Sequence, residues 1–246
     1  MITSIVLDRG GKKNAFSPAM AAELKRLLDL AQADRSRIVV IRSAVERVFS
    51  AGFDISFLGT DQAAAGQQAL YDSFAAIETA EKITVAIADG IVMGGGNELF
   101  LSCDFRLATE EAVFRLTPAR LSLIYSLEGM ARFVRAIGPT AAMEMFVAAR
   151  QLTAAEALRI GLVTRIVRDR EEAMTYCREL LSSGPLAQRA MKQMIRQLAD
   201  WRACIPADPA IVDRFEALRQ AADRSADRKE AIKAFAEKRT PIFRGE

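Results

Sequence analysis

Apolar residues keep two different periods in this chain, and the change between them divides it. Ile2 to Leu7 reads as a strand. Ser17-Pro18 reads as a helix cap followed by proline at the first helical position, and Met20, Leu24, Leu27, Leu28 and Ala31 then recur at helical spacing. Ile38 to Ile41 is a continuous apolar run of strand length, as expected for a strand buried on both faces. A helix is expected to close at Glu78 to Glu81, followed by a buried strand over Ile83 to Ala88 and a helix beginning near Asn97. Phe105 to Ala108 and Ala112 to Phe114 read as short strands. This β-α-β-α order predicts an α/β fold. From about Thr140 the pattern turns helical, with helices expected over 140–149, 153–160, 170–182 and 185–202. Pro206 and Pro209 break the run, and two further helices are expected over 209–223 and 226–238. Those last helices carry apolar stripes and should pack on the core or on another subunit.

Composition narrows the chemistry. Half of the 246 residues are hydrophobic, enough for a sizeable core. The net charge is only +3 and no basic patch is interleaved with aromatics, so nucleic acid is not an expected partner. Cys103, Cys177 and Cys204 are odd in number and far apart, which argues against disulfides and a zinc site. The sequence opens on a strand-like segment, so neither a signal peptide nor a membrane span is expected, and a reducing cytoplasm is the expected compartment. There is no histidine. Triads of the Ser-His-Asp or Cys-His type and imidazole metal ligation are therefore excluded. Proton transfer falls to Asp, Glu, Tyr, Lys or Cys.

Two glycine-bearing segments each follow an apolar strand: Phe49-Ser50-Ala51-Gly52-Phe53-Asp54-Ile55 and Gly90-Ile91-Val92-Met93-Gly94-Gly95-Gly96-Asn97-Glu98-Leu99. Turns without large side chains leave backbone N–H groups open to a ligand. Two such turns can aim two donors at one oxygen, which would be an oxyanion hole. Phosphate transfer fits poorly, because the triple glycine is not followed by Lys-Ser/Thr and is not a full G-x-G-x-x-G.

At these motifs the chain resembles the crotonase superfamily, the enoyl-CoA hydratase/isomerase family. The resemblance also covers Lys13-Asn14-Ala15-Phe16, Cys103-Asp104, Leu152 to Ala157 with Gly161-Leu162-Val163, and Ala234 to Arg239. It implies a spiral of repeated ββα units over 1–185 and a helical region over 186–246 that forms trimers or dimers of trimers. It also implies an acyl-CoA thioester substrate, with no cofactor beyond the coenzyme A moiety and no metal. The amides of Phe53 and Gly95 would form the oxyanion hole. Lys13, Ala15, Ala51, Asp54, Ile55, Phe235 and Lys238 would contact coenzyme A, the last two across a subunit boundary. Lys12 is a similar phosphate-end candidate. Other readings remain beside these: Asp54 can simply hold its turn, and Lys238 can be an ordinary surface charge.

The reaction is less determined. In the family's hydratases two glutamates work on water. Glu98 matches the first, but Ala119 stands after Pro118 where the second would be. The run Thr117-Pro118-x-x-Leu121-x-x-x-Tyr125 is similar to decarboxylases of methylmalonyl-CoA within the superfamily. Tyr125 would then lie by the substrate carboxylate, although those enzymes have a histidine where this chain has Phe53. Tyr125 reads equally well as a core tyrosine. The Glu128-Gly129 pair resembles the catalytic glutamate position of Δ3,Δ2-enoyl-CoA isomerases. Such a base needs an apolar pocket, which Leu123, Ile124, Leu127 and Met130 are candidates to form. Phe57, Leu58 and Phe74 are candidates for the acyl pocket. Decarboxylation is the leading expectation. Hydration, isomerisation and acyl-CoA binding without turnover are the alternatives.

Overall fold

A computed structural model describes residues 1–57 and 60–245. Leu58, an expected pocket residue, lies outside the described residues. The chain folds as two compact units, one of residues 1–114 with 152–199 and one of 115–151 with 200–246.

The first unit opens with β1 (Ile2–Leu7), α1 (Pro18–Ala33), β2 (Ile38–Ser43) and β3 (Val48–Ser50). It continues with α2 (Ala63–Thr79), β4 (Ile83–Ala88), β5 (Ile91–Met93), α3 (Gly95–Ser102), β6 (Phe105–Ala108) and β7 (Val113–Arg115). The chain then enters the second unit with α4 (Leu127–Phe146). It returns through β8 (Gln151–Thr153), α5 (Ala154–Arg159), β9 (Arg165–Ile166), α6 (Arg170–Leu180) and α7 (Pro185–Leu198). The second unit closes with α8 (Pro209–Arg224) and α9 (Ala226–Ala236). Among the described residues no helix is long and apolar enough to cross a membrane.

The strands fall into a five-stranded sheet ordered β1-β2-β4-β6-β9, parallel throughout, and a four-stranded sheet ordered β3-β5-β7-β8. The pairs β2-β3, β4-β5 and β6-β7 each give one strand to each sheet. This is a spiral of ββα units. One face of the larger sheet carries Ile38, Val40, Val85, Ile87 and Leu107, which α6 covers with Ala173 and Cys177. Burial pushes the Cys177 thiol up to about 11, so it packs as a small hydrophobe. The smaller sheet is tied to α3 by aromatic contacts. Phe100 meets Phe49 edge-on at 5.7 Å and Phe114 in a tilted arrangement at 5.3 Å. All three rings are fully buried, each contributing about 1.5–3 kcal/mol.

The expected cap at Ser17 forms, with its hydroxyl accepting from the Met20 N–H. Two expectations are corrected. The helix expected to begin near Asn97 starts at Gly95, because Gly94 adopts φ 51°, ψ −128° and turns the chain one residue before the helix. The helix expected over 140–149 belongs to a longer one beginning at Leu127 and broken at Gly138, where φ is 77° before Pro139.

Candidate active site

The Lys13-Phe16 segment and the first glycine turn are laced together by the backbone. Ala51 N–H donates to Lys13 O (2.9 Å), Phe16 N–H to Gly52 O (2.7 Å) and Asp54 N–H to Phe16 O (2.9 Å). Lys13 and Asn14 both sit at left-handed φ, 51° and 53°. Asparagine tolerates that conformation better than most residues. The buried Asn14 amide donates to Ser43 Oγ (2.7 Å) and Phe49 O (3.0 Å), and Ser50 Oγ donates to Asn14 O (2.8 Å). Phe16 uses Gly52 O and Asp54 N for its bridge to the turn. The Phe53 N–H between them therefore points off the other side.

The second turn comes up against the first. A Cβ placed on Gly52 would lie 3.0 Å from Gly95 N and 2.8 Å from Met93 O, and Gly52 also needs φ +86°. A Cβ placed on Gly95 would lie 3.8 Å from Phe53 N and 3.3 Å from Leu70 Cδ2. The two amides are thus neighbours under the buried Leu70. Gly95 is the first residue of α3, where N–H groups lack intrahelical partners and the helix dipole favours negative charge. Neither the Phe53 nor the Gly95 N–H has a protein acceptor among the described residues. Such a pair can share one anionic oxygen. Gly96 lets α3 approach β3, since a Cβ there would lie 2.9 Å from Ser50 Cβ.

The far end of α3 is held by cations. Arg196 donates to Ser102 O (2.8 Å) and Arg106 to Cys103 O (2.9 Å). Asp104 takes Thr84 N–H (2.8 Å), Lys192 Nζ (2.6 Å) and Arg196 (2.9 Å). Burial lowers the Lys192 ammonium despite Asp104 and lowers Arg106 to about 10, while burial pushes Cys103 up to about 12.

Glu98 lies in the first turn of α3 and is 2% exposed, so its carboxyl is withdrawn from bulk water. Asp54 is buried and accepts from Arg9 (2.7 Å), Ser56 Oγ (2.7 Å) and Ser56 N–H (3.1 Å). Burial alone would raise its carboxyl, but Ser56 and the Arg9 guanidinium outweigh it and hold it below the usual range. Ala15 is buried, Ala51 and Ile55 are half-buried and Lys13 is exposed. Phe57 is half-buried and Phe74 fully buried. Arg9 and Leu70 join the site without being among the residues expected there. The helical spacing of Leu70, Phe74 and Ile77 marks Leu70 as core-facing, whereas nothing in Asp8-Arg9-Gly10 distinguishes Arg9.

The remaining candidates belong to the second unit. Tyr125 is half-buried and meets Phe146 edge-on at 5.1 Å. Glu128 is exposed, beside Ile124 and Met130 at 38% and 37% exposure. It sits in the first turn of α4, behind the Ser126 cap. Phe235 is 58% exposed, and Lys238 follows α9 at φ 55°. Among the described residues no cluster of three His, Cys, Asp or Glu could hold a metal.

The spiral of ββα units and the two abutting glycine turns define a crotonase-fold protein. The chain belongs to the enoyl-CoA hydratase/isomerase family, whose description matches residues 1–246. It is 31% identical over 265 residues to mitochondrial methylglutaconyl-CoA hydratase of Mus musculus, covering 100% of this chain and 80% of that protein. It is 30% identical over 245 residues to 2,3-dehydroadipyl-CoA hydratase of Escherichia coli (strain K12), covering 98% and 94%. Among solved structures, methylmalonyl-CoA decarboxylase in complex with 2-nitronate-propionyl-CoA matches with a TM-score of 0.90 at 27% identity, covering 100% of this chain and 95% of that one. This chain is a crotonase-superfamily acyl-CoA enzyme.

Proposed function

We propose that the enzyme decarboxylates a malonyl- or methylmalonyl-type coenzyme A thioester without an added cofactor. The observation that carries this reading is the pair of adjacent, unpartnered amides, combined with Ala119 where a second hydratase glutamate would stand. The thioester oxygen would accept from the Phe53 and Gly95 N–H groups. As the bond from C2 to the carboxylate breaks, its electron pair forms the enolate and CO2 leaves. The two donors stabilise the charge that appears on the oxygen, and the enolate then takes a proton at C2. The resemblance assigns Tyr125 to orienting the carboxylate and Glu98 to supporting that orientation or ordering a water. It also assigns Lys13, Ala15, Ala51, Asp54, Ile55, Phe235 and Lys238 to coenzyme A. The likeness to methylmalonyl-CoA decarboxylase supports the reading.

Hydration is the second reading, favoured by relatives that are hydratases. Against it, one carboxylate would have to serve two points in space. Isomerisation through Glu128 is weakened by the exposure of that side chain. Two substitutions separate the readings. Tyr125→Phe should lower kcat for decarboxylation about tenfold or more, the worth of one hydrogen bond to a charged group. Glu128→Gln should leave decarboxylation intact. An unchanged Tyr125→Phe enzyme together with an inactive Glu128→Gln enzyme would reverse the assignment.

A further inference from the structure

The face of the five-stranded sheet that α6 covers is not covered completely. Alternation along β2 places Ile38, Val40 and Arg42 on this face, and the register sets Arg42 between Val6 of β1 and Ile87 of β4. α6 packs onto the β4 side, while Ser4 and Val6 of β1 stay exposed. Between them lies a groove of about 430 Å³. Its floor is Ser4, Arg42 and Ile87. Its wall is one face of α6, formed by Arg170, Glu171, Met174 and Arg178.

The charges in this groove are unevenly matched. Arg170 is braced by Asp89 at 2.6 Å. Among the described residues Arg178 has only the Thr175 hydroxyl, at 3.1 Å. Arg42 is half-buried on the sheet face, yet among the described residues its guanidinium has no hydrogen bond and no carboxylate within 4 Å. Glu171 on the wall is the one carboxylate among the lining residues. A guanidinium without a counter-ion keeps its donors available to an anion, and its planar fork suits a carboxylate or phosphate.

The groove is also separate from the glycine turns. Ser43, the neighbour of Arg42, accepts from Asn14, which holds Phe49 O just before the first turn. Alternation puts Arg42 on the opposite face of the sheet. We propose that this groove is a second ligand site that takes a small organic oxyanion, a phosphate monoester or a carboxylate, held between Arg42 and Arg178. Its carbon skeleton would rest on Ile87 and Met174.

Calorimetric titration of the full-length protein at low ionic strength with glycerol 3-phosphate and, separately, with succinate tests this. Low salt matters because such contacts are screened. At least one probe should bind saturably, and which one binds separates phosphate from carboxylate. Affinity should fall about tenfold or more in Arg42→Gln and in Arg178→Gln, as for losing hydrogen bonds to a charged group. Binding should persist in saturating coenzyme A. Arg178 is exposed on α6, so its variant decides the matter if Arg42→Gln does not fold. Absence of saturable binding by either probe, unchanged affinity in Arg178→Gln, or complete displacement by coenzyme A would overturn the proposal.

Discussion

At the scale of single residues, the site depends on where side chains are missing and on where a few carboxylates are fixed. Gly52 has a left-handed φ and lies under Met93 O and Gly95 N. Gly52→Ala should therefore destabilise the protein by about 1–3 kcal/mol through backbone strain and should also reduce turnover by parting the two amides. Urea unfolding and initial rates read the two effects separately. Lost turnover with wild-type stability would show that the glycine serves chemistry alone, and unchanged turnover would remove the turn from the site. Acid stability follows from the carboxylates. Asp54 is held below its usual range as described, and Asp34 is held low by hydrogen bonds from Lys82, Ser36 and Thr3. Their folded pKa values lie below the unfolded value of about 3.9. The stability they confer is thus fully present above that value and is lost as pH falls through the folded values. Tm followed downward from pH 5 should decline with proton uptake on unfolding. Asp54→Asn should flatten that decline, and an identical slope in the variant would contradict this account.

At the scale of elements, α3 matters most, because its first residue carries one of the two amides and its last carbonyls are gripped by Arg196 and Arg106. Asp104 binds Lys192 and Arg196 at the same end, and Lys192 is 8% exposed. Asp104→Ala would leave that ammonium buried without its partner and should cost about 3–5 kcal/mol in urea unfolding. A cost below 1 kcal/mol would mean that the cluster is solvated. The regular strands were legible in the sequence because burial on both faces writes itself as unbroken apolar runs. Ile83–Ala88, buried at every position, begins and ends where its run does, whereas Ile2–Leu7 at the sheet edge, with Ser4 and Val6 exposed, carries a mixed run. The start of α3 was not legible, since three consecutive glycines give no periodic signal and the turn at Gly94 is set by tertiary contact. β8 and β9 escaped because runs of three and two residues carry no period. At the site, the glycine turns announced themselves. The lacing by Asn14 and the brace from Arg9 depend on long-range pairing that no local pattern encodes.

At the scale of the whole molecule, α7 is amphipathic in an inverted sense. Its polar side is fixed to the rest of the first unit through Lys192, Arg196 and the Arg189–Glu81 pair, while Leu186, Met191, Met194, Ile195 and Leu198 are 55–81% exposed. An apolar stripe of this kind marks an interaction surface, and the trimer that the family resemblance implies would cover it with another copy. Met194→Glu combined with Leu198→Glu should shift the sedimentation of the protein to smaller species. A wild-type profile in the variant would place the interface elsewhere. Mass spectrometry of the purified enzyme incubated with methylmalonyl-CoA or with crotonyl-CoA separates decarboxylation from hydration outright. The proposed decarboxylation requires loss of CO2 to give propionyl-CoA and no hydration of crotonyl-CoA. Intact methylmalonyl-CoA beside a crotonyl-CoA product heavier by one water would contradict it.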